Sequence, residues 1–286
     1  MAGKHQARAA LKEVEVGNSA RVRICVAGIT GWTGRPVAEA VAASPDLQLV
    51  SGVSRKAAGL PIAAALNLDG VNGEVFATVV EALDAVRADV LVDFTSAEIA
   101  KANVVAAIRR RAHVVNGSSG LTADDYAGIE QLAVEAQVGV VAMANASIMA
   151  ALLQRFALEA AEHVQSWEII DYASAGKIDV PSGTATQLAE RLGDVRPPTG
   201  SRPVGELIGP REARGASIAG THVHSVRLPS YSVSTEVIFG KDGERLILRH
   251  EAGEGAAPYV AGTLLAARAV VGRVGLIRGL DALLFL

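Results

Sequence analysis

The feature that most constrains this chain is a junction near its start. Val22 to Gly28 is a short, β-branched run ending in glycine, and Thr33 to Ser44 follows at helical spacing. Gly28, Gly31 and Gly34 fall between them as G-x-x-G-x-x-G. Side chains at such a turn would keep a pyrophosphate away from the helix N-terminus, whose free N–H groups and positive dipole end hold it. Three glycines alone are weak grounds, and this spacing differs by one residue from the commonest fingerprint. Their place after a strand and before a helix makes the turn a candidate dinucleotide cradle. Thr30, Trp32 and Thr33 are counted with it; Trp32 either shields a cofactor or caps the helix.

The residue ending the next strand selects the dinucleotide. A carboxylate there bonds a ribose 2′-hydroxyl and repels a 2′-phosphate. After Leu47–Val53 the chain instead reads Ser54, Arg55, Lys56. Two cations without a carboxylate favour NADPH, with NADH as the alternative; a solvated basic turn is the plainer reading.

Further apolar runs at Val90–Ser96, His113–Gly120 and Val138–Asn145 alternate with helical spacing. Such alternation predicts βαβ units and a Rossmann-like, doubly wound parallel sheet. Beyond it the pattern changes. Trp167–Asp171 reads as a strand, Pro181–Leu192 as a helix, and three strand-like runs follow, the last two joined by the hairpin signal Asp242-Gly243. The expected organisation is a tail over residues 1–20, a nucleotide-binding α/β domain over 21–146 and 256–286, and a mostly antiparallel α+β domain over 147–255.

Composition narrows the function. Of 286 residues only 4% are aromatic and the net charge is −3, which argues against a nucleic-acid surface. Cys25, the single cysteine, permits no internal disulfide. No stretch reads as a secretory signal or a membrane span: the uncharged run Ala136–Gln154 divides into strand, loop and helix. The expectation is a cytoplasmic protein. His222 and His224 alternate along a strand without a third ligand, so no metal is expected. Arg109, Arg110 and Arg111 read as a solvated helix end.

The most informative stretch is Glu168–Ala185. Lys177 lies in a loop, and Ser182-Gly183-Thr184 opens a helix. A cation, free N–H donors and hydroxyls converging there suit a carboxylate ligand. A plain helix cap beside a surface lysine is the alternative.

Together with Val26–Gly34, Asp93-Phe94-Thr95, Gly117–Gly120 and Ala142–Ser147, the run Lys177–Ala185 resembles the dihydrodipicolinate reductases. Its Lys-x-Asp-x-Pro-Ser-Gly-Thr-Ala pattern is the most specific part, and the resemblance covers about Val22 to Leu286. It implies a homotetramer that transfers hydride from NAD(P)H to a cyclic, carboxylated imine. By that match Gly28, Gly31 and Gly34 hold the pyrophosphate. Phe94 and Thr95 are counted with the cofactor site, Gly117, Ser118, Ser119 and Asn145 border the nicotinamide, and Ser174, Lys177, Ser182, Gly183 and Thr184 face the substrate.

One departure stands out. The family carries His-His-x-His before the lysine; here the run is Ala173-Ser174-Ala175-Gly176-Lys177. A further family histidine is replaced near Ser234. The lost acid titrates near neutrality. Lys177, Tyr172 and Asp171 are the candidate replacements, in that order, and an iminium already protonated needs no strong enzymic acid. The leading expectation is therefore an NADPH-dependent imine reductase with an altered pocket. The alternatives are a genuine 4-hydroxy-tetrahydrodipicolinate reductase and a catalytically silent NADPH-binding protein.

Overall fold

The computed structural model describes residues 21–200 and 202–285, so the expected tail over 1–20 lies outside the described residues. The first half runs β1 (Val22–Ala27), α1 (Gly34–Ala43), β2 (Leu47–Val53), α2 (Ile62–Leu66), β3 (Glu74–Phe76), α3 (Val79–Ala85), β4 (Val90–Asp93), α4 (Ala97–Arg109), β5 (His113–Asn116), α5 (Ala123–Ala136) and β6 (Gly139–Ala142). The second runs α6 (Ile148–His163), β7 (Trp167–Ala173), α7 (Gly183–Val195), β8 (Ala216–Ile218), β9 (Thr221–Arg227), β10 (Val233–Lys241) and β11 (Glu244–Glu251). The chain ends with α8 (Ala257–Val270), β12 (Gly275–Arg278) and α9 (Asp281–Leu284).

Seven parallel strands form the first sheet in the order β12-β6-β5-β4-β1-β2-β3. The order reverses between β1 and β4, and the crevice outside the strand ends at such a reversal is where α/β sheets bind ligands. Strand periodicity explains the layers. Ile24 and Val26 point into one core with Val37 and Val41 of α1 and Leu264 and Val270 of α8. Cys25 and Ala27 point into the other, with Val104 and Ile108 of α4 and Ile129 of α5. Burial pushes the Cys25 thiol up to about 12, consistent with a small core residue.

The expected strands are shorter than read. The runs beginning at Val90 and His113 stop at Asp93 and Asn116, and their remainders are the loops that carry the site. β3 and β12 have no counterpart in the sequence reading; three or four residues are too few to show a period. α3 was also unread, although Thr78 and Glu81 form the reciprocal capping box that marks its start.

The second sheet has the order β11-β10-β7-β9-β8, and only β7–β9 is parallel. Its inner face packs Trp167, Ile169, Val223, Val237 and Phe239 against Leu153, Ala157, Leu188 and Leu192 of α6 and α7. β7 alternates strictly between buried and half-buried residues. It extends past Asp171 to Ala173, so Tyr172 is a strand residue and not the start of the loop. α8 returns to α1, β12 pairs with β6, and Arg191 of α7 holds Asp281 of α9 by two bonds of 2.8 and 2.7 Å. Among the described residues no helix is long and apolar enough to cross a membrane.

Candidate active site

The β1–α1 turn is built from backbone. Gly28 N–H donates to the Val53 carbonyl at 2.9 Å, and Gly31 N–H donates to the Gly28 carbonyl at 2.7 Å. Gly28 has φ +79°, and a Cβ on it would lie 2.2 Å from the Phe94 carbonyl oxygen. A Cβ on Gly34 would lie 2.0 Å from the Gly28 oxygen, and one on Gly31 3.0 Å from the same atom. Only glycine lets the turn close on itself and leave the start of α1 bare.

A groove of about 890 Å³ opens beside this turn. Gly28, Thr30, Gly31 and Thr95 line it together with Ser54, Arg55 and Lys56 at the end of β2. Thr30 and Ser54 share a hydroxyl–hydroxyl bond of 2.8 Å. Val79 and Val80 of α3, with Ile99 of α4, give it an apolar wall. Among the described residues no carboxylate lines the groove. The bare turn, the apolar wall and the two cations suit an adenosine unit with phosphate groups.

A second cavity, of about 240 Å³, lies between the strand ends of the first sheet and the β7–α7 loop. From the first side come Trp32, Thr33, Phe94, Gly117, Ser119 and Asn145; from the second come Lys177, Asp179, Ser182, Gly183 and Thr184. The Phe94 ring lies where a Cβ on Gly117 would sit, 2.1 Å from its edge, so Gly117 and Phe94 form a flat wall. Asn145 accepts from Ser147 N–H at 2.9 Å, which fixes its amide at the start of α6. Trp32 is 61% exposed, and its ring centroid sits 5.7 Å from that of Tyr259 on α8.

The carboxylate of Asp93 organises this edge. Wholly buried, it accepts from Thr95 N–H at 2.8 Å, the Thr95 hydroxyl at 2.6 Å, Asn103 at 2.9 Å and the Ser118 hydroxyl at 3.1 Å. Ser118 therefore sits behind the cavity wall and holds the loop in place, a correction to its expected place beside the nicotinamide. Asp93 enters the sequence reading only within the Asp-Phe-Thr match, and Asn103 escapes it. The Asp-Phe-Thr run pointed to the first; nothing in the sequence pointed to the second.

On the other side, Lys177 Nζ lies 2.8 Å from Asp179 Oδ1, and Gly183 N–H donates to Asp179 Oδ2 at 3.3 Å. Burial pushes the Asp179 carboxyl up, and the neighbouring Lys177 ammonium more than offsets this, so it ends below the usual range. Ser182 caps α7 by accepting from Ala185 N–H at 3.3 Å, and its hydroxyl donates to Asp171 Oδ1 at 2.6 Å. Its donor is thus committed away from the cavity that it lines.

Three expected site residues lie elsewhere. Asp171 is wholly buried and accepts from Ser182 N–H at 2.8 Å, the Ser225 hydroxyl at 3.2 Å and Arg227 at 2.8 Å as well. A carboxylate so saturated and enclosed is a structural anchor, not an accessible acid. Tyr172 points to the opposite face of the sheet by strand alternation. Its ring meets Tyr231 at 5.0 Å and lies under Arg249 at 4.8 Å. Burial and the nearby Glu236 carboxylate push its hydroxyl up. Ser174 does not line the cavity; its carbonyl accepts from Lys177 N–H at 3.0 Å and so shapes the turn.

Among the described residues no histidine lines either cavity. His224 is bonded to Glu168 at 2.7 Å on the face that Tyr172 shares, and His250 meets the Ser147 hydroxyl at 3.3 Å. Among the described residues no group of three His, Cys, Asp or Glu side chains is placed to hold a metal ion.

Tyr259 also escaped the sequence reading. It reaches the cavity from α8, more than 200 residues after the glycine turn, and burial pushes its hydroxyl up.

Comparison with known proteins accords with this geometry. A family model for the N-terminus of dihydrodipicolinate reductase matches residues 22–146, and one for its C-terminus matches residues 146–284. The chain is 34% identical over 264 residues to a 4-hydroxy-tetrahydrodipicolinate reductase from Syntrophomonas wolfei, covering 92% of this chain and 99% of that protein. It is 32% identical over 263 residues to one from Geobacillus kaustophilus, covering 92% and 99%. Among solved structures, a dipicolinate-bound dihydrodipicolinate reductase from Paenisporosarcina sp. TG-14 superposes with a TM-score of 0.76 at 26% identity, covering 91% of this chain and 98% of that one. The chain belongs to the dihydrodipicolinate reductase family of NAD(P)H-dependent oxidoreductases.

Proposed function

We propose that this chain is an NADPH-dependent reductase of the C=N bond in a carboxylated cyclic imine. The observation that carries the reading is the single cavity in which the flat Phe94–Gly117 wall faces Lys177, Gly183 and Thr184. When bound, the reduced nicotinamide supplies the hydride. Gly28, Gly31 and Gly34 would hold the pyrophosphate against α1, and Thr30, Ser54, Arg55 and Lys56 would meet the adenosine ribose and its 2′-phosphate. Phe94, Gly117, Ser119 and Asn145 would border the nicotinamide. Thr33 and Trp32 line the smaller cavity, with the Trp32 ring against Tyr259.

Lys177 takes two roles in this reading. Its ammonium anchors the substrate carboxylate beside the N–H groups of Gly183 and Thr184, and Nζ supplies a proton to the imine nitrogen. Since no described histidine lines the cavity, an iminium that arrives protonated is the natural acceptor. NADPH oxidation followed at 340 nm tests this, with 4-hydroxy-tetrahydrodipicolinate made in place by its synthase and with a panel of cyclic imines. Lys177→Ala is expected to lower kcat/KM by about 10²–10⁴-fold. A rise in KM alone assigns anchoring; a fall in kcat assigns proton transfer. Unchanged turnover removes Lys177 from the mechanism. Equal affinity for NADH and NADPH in a direct titration overturns the Arg55–Lys56 assignment.

A second reading, a genuine 4-hydroxy-tetrahydrodipicolinate reductase, is favoured by the 34% identity that extends over 92% of the chain. Rapid turnover of 4-hydroxy-tetrahydrodipicolinate would select it. The homotetramer is supported by exposed Ile247, on the face of β11 turned away from α6 and α7, and is checked by light scattering.

A further inference from the structure

Charges lining the cavity are few. Among the described residues that form its wall, one cation and one carboxylate are present, Lys177 and Asp179, and they are bonded to each other. Arg227 is held by Asp171 Oδ2 at 2.8 Å and by the Asp179 carbonyl at 2.9 Å; it does not line the cavity. Its Nε has no partner, but that atom is itself buried. Ser182 has given its hydroxyl to Asp171. What remains for an anion is one site, made by Lys177 with the N–H groups at the start of α7 and the Thr184 hydroxyl.

That site already has an occupant from the chain itself. The Asp179 carboxylate spans Lys177 Nζ and Gly183 N–H, as a ligand carboxylate would. Binding an anion there is therefore an exchange. The incoming carboxylate takes over the Lys177 charge, and Asp179 is left unpaired nearby. A second carboxylate on the same ligand would find no cation on the cavity wall and would face the released Asp179. Burying a charge without a partner is strongly unfavourable, and such a penalty is how sites reject close analogues. The other walls, Phe94, Ala144, Ala146, Val233 and Tyr259, offer apolar surface to a ring.

We infer that this cavity selects cyclic imines bearing a single carboxylate over dicarboxylates, with Asp179 occupying the carboxylate site until substrate displaces it. The inference rests on the carboxylated-imine reading given above and narrows its substrate class.

The test uses the full-length protein saturated with NADPH and two planar probes that differ in one group, picolinate and dipicolinate. Calorimetric titration is expected to show picolinate binding at least as tightly as dipicolinate. Asp179→Asn should tighten picolinate by about threefold or more, since the internal competitor is neutralised. Dipicolinate binding about tenfold tighter than picolinate would overturn the inference, and turnover of a cyclic imine would still leave the reductase reading standing. Failure of both probes overturns it as well. In that case turnover of uncharged cyclic imines separates loss of the carboxylate preference from loss of the reductase reading. Unchanged picolinate affinity in Asp179→Asn would overturn the exchange with Asp179.

Discussion

Each side of the cavity presents a strand that runs out into a loop and then into the start of a helix, but the two junctions are held by opposite means. The β1–α1 turn is closed by main-chain bonds and by the absence of Cβ atoms at Gly28 and Gly34. No charged side chain holds it. The β7–α7 loop is closed by side chains: Asp171 gathers Ser182, Ser225 and Arg227 beneath it, and Lys177 pairs with Asp179 above. A backbone turn tolerates almost any neighbour but no added carbon at its closest points. A turn built on side chains tolerates small changes of volume but not the loss of a buried charge. The first design suits a ligand part that never varies; the second lets substrate preference change while the fold is kept.

Substitutions can break or sharpen that contrast. The largest effect is expected from Asp171→Ala, which leaves Arg227 enclosed without its counter-charge. Urea denaturation should show a loss of about 3–5 kcal/mol, while NADPH affinity of the folded fraction stays near that of the parent. A loss under about 1 kcal/mol would mean that the network does not hold the loop. Gly34→Ala should do the converse. The added carbon meets the Gly28 oxygen, so NADPH affinity is expected to fall about tenfold or more, with a stability cost of about 1–3 kcal/mol. Wild-type affinity in that variant would show that the turn opens freely.

Acid should separate the two junctions further. The folded Asp179 carboxyl titrates below its ordinary value of 3.8, so its pairing stabilises the protein fully above that value. The contribution is lost as pH falls through the depressed folded value. The Tm difference between the parent and Asp179→Asn is therefore expected to be constant from pH 7 to about pH 5 and to shrink toward zero below about pH 4. A difference independent of pH would refute the assignment. The smallest effect is expected from Tyr172→Phe, which lies on the far face of β7. Its kcat/KM should stay within about twofold of the parent; a hundredfold fall would return Tyr172 to the chemistry.

The fold was largely legible because its signals are local. Alternating apolar runs marked β1, β2, β4, β5 and β6, and the change of pattern after α6 marked the mostly antiparallel sheet. What was missed was short or reached from afar: β3 and β12 carry no period, and the parallel pairing of β7 with β9 depends on a crossover that no local pattern encodes. Reading β7 as ending at Asp171 also placed Tyr172 in the loop. Two more strand residues put it on the opposite face, because strand side chains alternate.

The sequence by itself determined the glycine turn, the missing carboxylate after β2, the lysine and hydroxyl run that opens α7, and the loss of histidines beside it, because each is a property of neighbouring residues. Only the tertiary structure decided which of these groups are free to act. Ser182 and Asp171 look available in sequence, yet they are bonded to each other and, through Asp171, to Arg227 more than 40 residues later. Whether a polar group faces a ligand or is satisfied within the protein depends on partners that folding brings together. Those partners are set by strand pairing and packing, not by distance along the chain.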